Sequence, residues 1–239
     1  MTPRTARDLL ITALAGALLL AWDFSGLDLP TVRLFGNAQG FAWRDAWLTK
    51  TALHEGGRIG AWVLLLALAL GVLRAGLQAR RHGPTLNLRG PAPFGHRLRW
   101  FAVTLLCLLA VPTLKRFSTT SCPWDLAEFG GVAPYVRHWA FGVSDGGPGH
   151  CFPSGHAVAA FAFFSLHFQL RDEHPVAARW ALGAVLLVGC AFGWAQLVRG
   201  AHFPSHTLWS AWICWAVCVA AAALFKAAPG AARGTFRPI

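Results

Sequence analysis

The sequence predicts an all-α fold, a polytopic membrane bundle of six transmembrane helices. Of the 239 residues, 55% are hydrophobic and only 13% are charged, and the mean hydropathy is +0.47. This composition lies outside the usual range of soluble globular domains. Twelve tryptophans and a single tyrosine fit a bilayer protein, because indole rings favour the headgroup boundary.

Six apolar segments account for the predicted spans. They are residues 8–22, 58–75, 99–114, 156–170, 176–197 and 205–226. A spanning helix needs roughly 20 mostly apolar residues, so the shorter segments are expected to borrow flanking residues. The first also has the basic-then-apolar order of a signal peptide, but no small-residue cleavage site follows Leu20. It is therefore predicted as a span, within a single domain that covers residues 1–239.

The charge distribution predicts the orientation. With the N-terminus in the cytoplasm, most of the 21 lysine and arginine residues fall on the cytoplasmic side and most of the ten acids on the other, as the positive-inside rule requires. Both termini are then cytoplasmic, and the basic, Pro/Gly-rich segment 76–98 is a cytoplasmic loop. We expect a bacterial inner-membrane protein. Its net charge of +11 favours contact with anionic lipid, and the scattering of basic residues among short loops argues against nucleic-acid binding.

Two long loops are predicted on the outer side. In the first, residues 23–57, Trp43, Trp47 and Leu48 share one helical face and predict a short helix at the interface. The second, residues 115–155, is rich in glycine and proline and has the length of a functional loop. It holds Cys122 and Cys151, and an oxidising periplasm permits a disulfide between them, with two free thiols as the alternative. The other four cysteines fall in apolar segments.

A polar motif opens the fourth apolar segment, in the stretch CFPSGHA at residues 151–157. Pro153 suits the entry to a helix, and Ser154 suits its N-cap. The first-turn amides of such a helix attract an anion. The simpler interpretation is a capping serine followed by an interfacial histidine at position 156.

A second cluster, RGAHFPSH at residues 199–206, lies in the turn between the last two spans. Pro204 is tolerated in a first helical turn, so the last helix is predicted to begin near His202. His202 and His206 then lie one turn apart on one face. Arg199 is expensive in lipid and is expected to face a polar cavity. An exposed polar loop is the alternative.

A third cluster lies at the outer end of the third span, where Lys115 and Arg116 run against the orientation rule. Snorkelling to headgroups is one explanation. The other is a shared site, because all three clusters fall at outer ends of spans. Together they supply the cations, amides and imidazoles that phosphoryl transfer requires.

These residues resemble the type 2 phosphatidic acid phosphatase superfamily, whose pattern is K-x6-R-P, then P-S-G-H, then S-R-x5-H-x3-D. The resemblance covers residues 115–206, and its middle motif is intact as residues 153–156. Cys122 replaces the arginine that follows Lys115 in the first motif. In the third, His202 takes the nucleophile's place, Ala195 and Gln196 stand where Ser-Arg is expected, and His206 replaces the aspartate.

The resemblance implies a covalent mechanism at the outer face. His202 attacks phosphorus, His156 protonates the departing lipid oxygen, and His206 orients the nucleophile. Four residues are expected to hold the phosphate oxygens: Lys115, Ser154, Gly155 and Arg199. Arg116 and Arg137 are further candidates for the two missing arginines, and Asp125 or Asp145 for assisting His206. No metal or other cofactor is required.

Three other functions stay open at this point. One is a phosphotransferase that passes phosphate from a polyprenyl diphosphate to a second lipid. Another is a metal or haem protein, because His202 and His206 have the i, i+4 spacing of metal ligands, with His150 and His156 as further ligands. The third is a binding protein without activity. Undecaprenyl diphosphate, phosphatidate, phosphatidylglycerophosphate and lipid A phosphates all suit a basic pocket at the bilayer surface, and the oligomeric state is unknown.

Overall fold

The computed structural model describes residues 2–82, 94–140 and 142–227, and these residues are mostly helical. The helices are α1 (Pro3–Ser25), α2 (Asp28–Arg33), a π-helical stretch (Leu48–Gly56) continuous with α3 (Gly57–His82), α4 (Phe94–Arg116), α5 (Val158–Phe161), α6 (Phe164–Leu170), α7 (Pro175–Val198) and α8 (Pro204–Ala227). Strands β1 (Gly36–Asn37) and β2 (Gly40–Phe41) form a small antiparallel hairpin. Short 3-10 turns occupy Pro123–Asp125 and Ala127–Phe129.

Within the described residues, five helical stretches are long and apolar enough to cross a membrane. They are Pro3–Ser25, Leu48–Arg81, Phe94–Arg116, Pro175–Val198 and Pro204–Phe225. The remaining predicted span, 156–170, forms only Val158–Leu170, which a turn at residues 162–163 divides into α5 and α6. At 1.5 Å per residue this segment is roughly 20 Å long, short of the ~30 Å hydrocarbon core. Where six transmembrane helices were predicted, the described residues form five long helices and one short helical pair.

The short α5–α6 pair forms the centre of the main core. Phe161, Phe164 and Phe168 are all buried, and they pack among residues of α4, α7 and α8. Glycine permits close approach at one of these contacts, since a Cβ on Gly189 would overlap the ring of Phe161. A segment so enclosed can be short, because its apolar side chains face other helices instead of lipid.

The first predicted outer loop is partly helical. The helix that was expected from residue 58 begins at Leu48, so His54 lies within a helix of 34 residues. The separate interfacial helix predicted around Trp43, Trp47 and Leu48 is wrong: Trp43 lies in a turn, whereas Trp47 and Leu48 stand at the start of the long helix that continues into α3. The predicted loop 76–98 is also shorter than expected, since α3 extends to His82 and α4 begins at Phe94, and its middle lies outside the described residues.

The ends of the bundle differ in what covers them. At the end that carries Lys115, His156 and His202, here called the motif end, the loops 28–41 and 122–135 build a second small core over the start of α8. Its buried members include Val32, Phe129 and Phe203. A disulfide joins Cys122 to Cys151, with the two Cα atoms 5.1 Å apart. The loop after α4 is thereby tied to the turn that carries the 153–156 motif.

Candidate active site

Lys115 lies in the last turn of α4 and points toward the 153–156 motif. A Cβ added to Gly155 would be 3.8 Å from the Lys115 Nζ, so the ammonium group lies against this turn. Lys115 is half-buried, whereas the neighbouring Arg116 is exposed. The sequence order at the end of α4 therefore delivers one cation to the site and one to the surface.

The 153–156 turn is fastened to α8. The Ser154 amide donates to the His206 carbonyl (3.0 Å), and the Ser210 hydroxyl donates to the Ser154 carbonyl (2.8 Å). The predicted N-cap role of Ser154 is wrong, because the first helical residue is Val158 and its N-cap is Ala157. Ser154 instead opens a turn, in which its hydroxyl accepts weakly from the Ala157 amide (3.5 Å). Ser154 is fully buried at the base of the motif.

His202 and His206 face each other directly. Their Nδ1 atoms are 3.4 Å apart, and both side chains are buried. The helix begins at Pro204, two residues after His202 and close to the predicted start. The loop before it is held by the Gln196 carbonyl, which accepts from the amides of Ala201 (2.8 Å) and His202 (3.3 Å). The His202 Nδ1 also lies 3.4 Å from the disulfide sulfur of Cys151, so this nitrogen is occupied and Nε2 is the one left for chemistry.

His54 is a site residue that the sequence predictions missed. Its ring lies 4.3 Å from that of His156, and the Gln196 amide donates to its Nδ1 (3.1 Å). The Nε2 of His156 donates to the carbonyl of the adjacent Leu53 (3.2 Å). The only signal was a lone histidine in a segment predicted as loop, and the π-helical extension before α3 is what brings it to the motif.

Arg199 supplies a buried cation beside these histidines. The residue is 7% exposed, and its Nε donates to the Arg44 carbonyl (2.8 Å). Its Nη1 is buried and has no hydrogen-bond partner within the described part of the chain. A buried guanidinium N–H without an acceptor is costly, and an anion placed there would satisfy it.

Burial and positive charge hold the site imidazoles in the neutral form. Burial, followed by the charges of His54 and Arg199, lowers the pKa of His156 to about 4. Burial also lowers the pKa of His202 well below its ordinary value, and Lys115 and His156 lower it further. These mutual effects on the pKa show that Lys115, His54, His156 and His202 lie near one another.

The remaining candidates lie elsewhere. Asp145 binds the Ser121 amide and hydroxyl (2.5 and 2.9 Å), and Asp125 accepts from the Cys122 amide (3.3 Å), so neither carboxylate is seen to contact His206. Arg137 lies near Gly26, since its Nη2 is 3.3 Å from where a Cβ of Gly26 would be.

The histidine set expected for a metal or haem site is not assembled. His150 is exposed, and the ligand clusters found among the described residues are Cys122–Cys151–His202 and Asp23–Asp28–His138. In the first cluster both sulfurs are used by the disulfide, so no thiolate is left to bind a metal. The second cluster was also missed by the sequence predictions. It lies next to His206, whose ring is 5.5 Å from that of His138.

Comparison with known proteins identifies a family for this chain. Residues 97–229 match the family model of the PAP2 superfamily, the type 2 phosphatidic acid phosphatases. No curated protein and no solved structure was found to match the chain. His54 and Asp23 lie outside the matched residues, whereas Lys115, His156 and His202 lie within them. Because the match covers more than half of the chain, the protein belongs to the PAP2 superfamily.

Proposed function

We propose that this protein is a membrane phosphatase that hydrolyses a lipid phosphate or diphosphate through a phosphohistidine on His202. Members of its superfamily are phosphatases, and its long apolar helices support an integral membrane protein. The observation that carries the proposal is the Arg199 guanidinium, buried beside the site histidines with Nη1 lacking an acceptor among the described residues. Asp45 and Glu55 are the carboxylates whose charges reach Arg199, but neither bonds its Nη1 within the described residues, and a phosphate is the anion that we place there.

The phosphate oxygens would be held from two sides. Lys115 approaches the Ser154–Gly155 turn from α4, and Arg199 approaches from the end of α7. Charge-assisted hydrogen bonds from an ammonium and a guanidinium are about twice as strong as neutral ones, and they strengthen as charge develops on the equatorial oxygens. The Lys115 side chain lies against this turn, with its Cδ 3.6 Å and its Nζ 3.8 Å from where a Gly155 Cβ would be. His54 and Gln196 stand on the side of the missing motif arginines and would add donors there.

The chemistry would use three histidines. The Nε2 of His202 attacks phosphorus, the bond to the lipid oxygen breaks, and His156 gives a proton to that oxygen. Since His156 Nε2 donates to the Leu53 carbonyl, the proton is given from Nδ1. His206 orients His202 through the facing Nδ1 atoms. Water activated by His156 then attacks the phosphohistidine and releases phosphate.

An apolar groove supports a lipid as the substrate. It has a volume of about 270 Å³ and runs between α3, α5 and α7. Small residues of these helices, such as Gly60 and Ala159, form its walls. At its motif end lies Phe192, whose ring contacts that of His156 at 4.8 Å. A hydrocarbon chain in the groove would present its phosphate to the histidine site from within the bilayer.

Phosphate release from a panel of lipid phosphates and diphosphates tests the reaction. We expect turnover by the native protein that survives chelator, and its loss in His202→Ala. His150→Ala is the matched control, because His150 is an exposed histidine of the same end. Activity that persists in His202→Ala contradicts the proposal. Product analysis with a labelled diphosphate and a second lipid separates water from a lipid acceptor.

Filling the groove tests the lipid assignment separately. A Cβ at Gly60 meets no atom within 4 Å, so Gly60→Leu projects into the groove without a predicted clash at its Cβ. We expect a lower kcat/KM for a long-chain lipid phosphate and an unchanged value for a short-chain soluble ester. Gly183→Leu is the control, since Gly183 is also a helical glycine in open space but does not line the groove. Equal loss with both substrates would argue against a chain-binding groove.

A further inference from the structure

A buried carboxylate stands behind His206, and it belongs to the first helix of the chain. Asp23 is near the end of α1, and its side chain is 1% exposed. Its Oδ2 accepts from the indole nitrogens of Trp139 and Trp209, each at 2.8 Å. Its Oδ1 has no hydrogen-bond partner within residues 2–82, 94–140 and 142–227. Nothing in the proposed chemistry uses this aspartate so far.

His138 connects this carboxylate to the catalytic histidines. The His138 Nε2 lies 3.4 Å from the Asp23 Oδ2, an ion-pair distance, and the side chain is 7% exposed. The same ring stacks on Phe152 at 4.1 Å and meets the ring of His206 edge-on at 5.5 Å. The order in space is therefore Asp23, His138, His206, His202.

Asp23 and its neighbour Asp28 supply the negative charge beside this row of rings. No lysine or arginine pairs with Asp23 among the described ion pairs, and the indole donors are neutral. Asp28 is close by, but its oxygens accept from the Ser205 amide and hydroxyl and from the Trp22 indole. Asp28 also lies within 4.8 Å of His138, but its oxygens cap the start of α8, whereas Asp23 makes the ion-pair contact with His138.

We propose that Asp23 is a positioning residue, which supports the nucleophile His202 through His138 and His206. The inference rests on the proposed function. As the bond from His202 Nε2 to phosphorus forms and the bond to the lipid oxygen breaks, positive charge develops on the His202 ring. The proton on its Nδ1 is then shared with the Nδ1 of His206, and the leaving oxygen takes its proton from His156. The Asp23 carboxylate stabilises the positive charge that reaches His206.

This arrangement replaces the aspartate that the third motif lacks. A carboxylate bonded directly to a catalytic imidazole is worth about 10⁴-fold in kcat. Two imidazoles separate Asp23 from His202, so its contribution is smaller. The negative charge has been kept, but it comes from a helix outside the family motifs and reaches the nucleophile through a second histidine.

Rapid-quench measurement of phosphoenzyme formation tests the proposal. We expect Asp23→Asn to slow formation, and to lower kcat, by about 10- to 100-fold, less than a directly bonded carboxylate, with KM unchanged. His138→Phe keeps the ring that stacks on Phe152 but removes the link. If Asp23 acts through His138, the double variant is no slower than His138→Phe alone. Asp145→Asn is the control, since it alters another buried carboxylate of the motif end that contacts only neutral donors.

The outcomes separate this inference from the proposed function. Loss of phosphoenzyme in His202→Ala with native rates in Asp23→Asn and His138→Phe overturns the role of Asp23 alone. Effects of the two substitutions that multiply in the double variant overturn the linkage, and so does a KM effect without a kcat effect. Stoichiometric divalent metal that is lost in Asp23→Asn overturns it in favour of a metal site made of Asp23, Asp28 and His138. A native protein that forms no phosphoenzyme contradicts the proposed function itself.

Thermal unfolding of each variant identifies a folding defect. If Asp23→Asn fails to fold, His138→Phe carries the test, because it leaves the indole bonds to Asp23 in place.

Discussion

The two ends of the bundle bury polar groups in different ways. At the end opposite the motifs, the Arg171 guanidinium donates to Asp8 (2.6 Å), and both side chains are buried. The Arg171 guanidinium also lies 4.2 Å from the centre of the Phe168 ring. Deeper in the bundle, the hydroxyls of Thr104 and Ser165 are 2.6 Å apart. Every one of these groups has found a partner within the chain.

At the motif end some buried polar atoms are left unpaired. The three buried side-chain atoms without a hydrogen-bond partner among the described residues are Arg199 Nη1, Asp23 Oδ1 and His138 Nε2. Each costs stability of the order of 1–3 kcal/mol. Under the proposed function, the residues with these unpaired atoms are the ones that bind phosphate or support the nucleophile.

The largest expected effect comes from breaking the completely paired end. Asp8→Asn leaves Arg171 buried without its counter-charge, which should cost about 3–5 kcal/mol in the free energy of unfolding. We expect the thermal midpoint of the detergent-solubilised protein to fall and kcat of the folded fraction to stay unchanged. Replacing both partners, Asp8→Leu with Arg171→Met, should recover most of the loss because no charge is left unpaired. A loss of kcat in the folded double variant would contradict a purely structural role.

Removing a cation from the motif end should lower activity without lowering stability. Arg199→Met should lower kcat/KM by about 10²–10³-fold, as loss of a preorganised donor to the transition state does. The thermal midpoint should be unchanged or higher, because a buried cation with an unpaired N–H is removed. Arg116→Met is the matched control, since Arg116 is an exposed cation of the same end. A lower midpoint with unchanged kcat/KM would place Arg199 with the structural groups.

Local sequence features were sufficient for the parts of the site that lie close together along the chain. The apolar segments predicted the long helices, and the clusters around Lys115, His156 and His202 were predicted to meet. Each cluster lies at the end of an apolar segment, and alternate helix ends return to the same side of a bilayer. This geometric constraint needs no knowledge of side-chain packing.

The parts that were missed depend on packing between distant residues. His54 reaches the site because a helix begins at Leu48, in a stretch of mixed polarity that was predicted as part of an outer loop. Asp23 meets His138 across 115 positions of sequence, and it is bonded there by the indoles of the adjacent Trp139 and of the distant Trp209. The shortness of α5 and α6 follows from their enclosure by other helices. None of these relations is encoded in local spacing.

The smallest expected effect is a shift in pH dependence, and it tests whether His54 and His156 act as one electrostatic unit. Burial is the main cause that lowers the pKa of His156 to about 4, and the charge of His54 comes next, ahead of Arg199 and Arg58. As the acid, His156 must be protonated in the free enzyme, so kcat/KM should rise as the pH falls toward that pKa. His202 must be neutral to attack, and its lowered pKa keeps it so on the acid side of 6.5. We therefore expect the pH optimum of kcat/KM to lie below 6.5.

His54→Gln removes the second cause while leaving burial, so the pKa of His156 should rise and the alkaline limb of kcat/KM should move to higher pH. The rise in the pKa of His156 should be much smaller than the total lowering of that pKa in the native protein, because burial is the larger cause. Both enzymes are measured on one substrate between about pH 4 and 8, so that ionisation of the substrate phosphate, with its pKa near 6, cancels in the comparison. Preincubation at each pH followed by assay at a common pH separates titration from unfolding, and His150→Gln controls for loss of an exposed imidazole. An alkaline limb that stays in place, or moves to lower pH, would mean that His156 does not donate the proton. The contact between His54 and His156 would then only stabilise the packing of the motif end, as the paired groups stabilise the opposite end of the bundle.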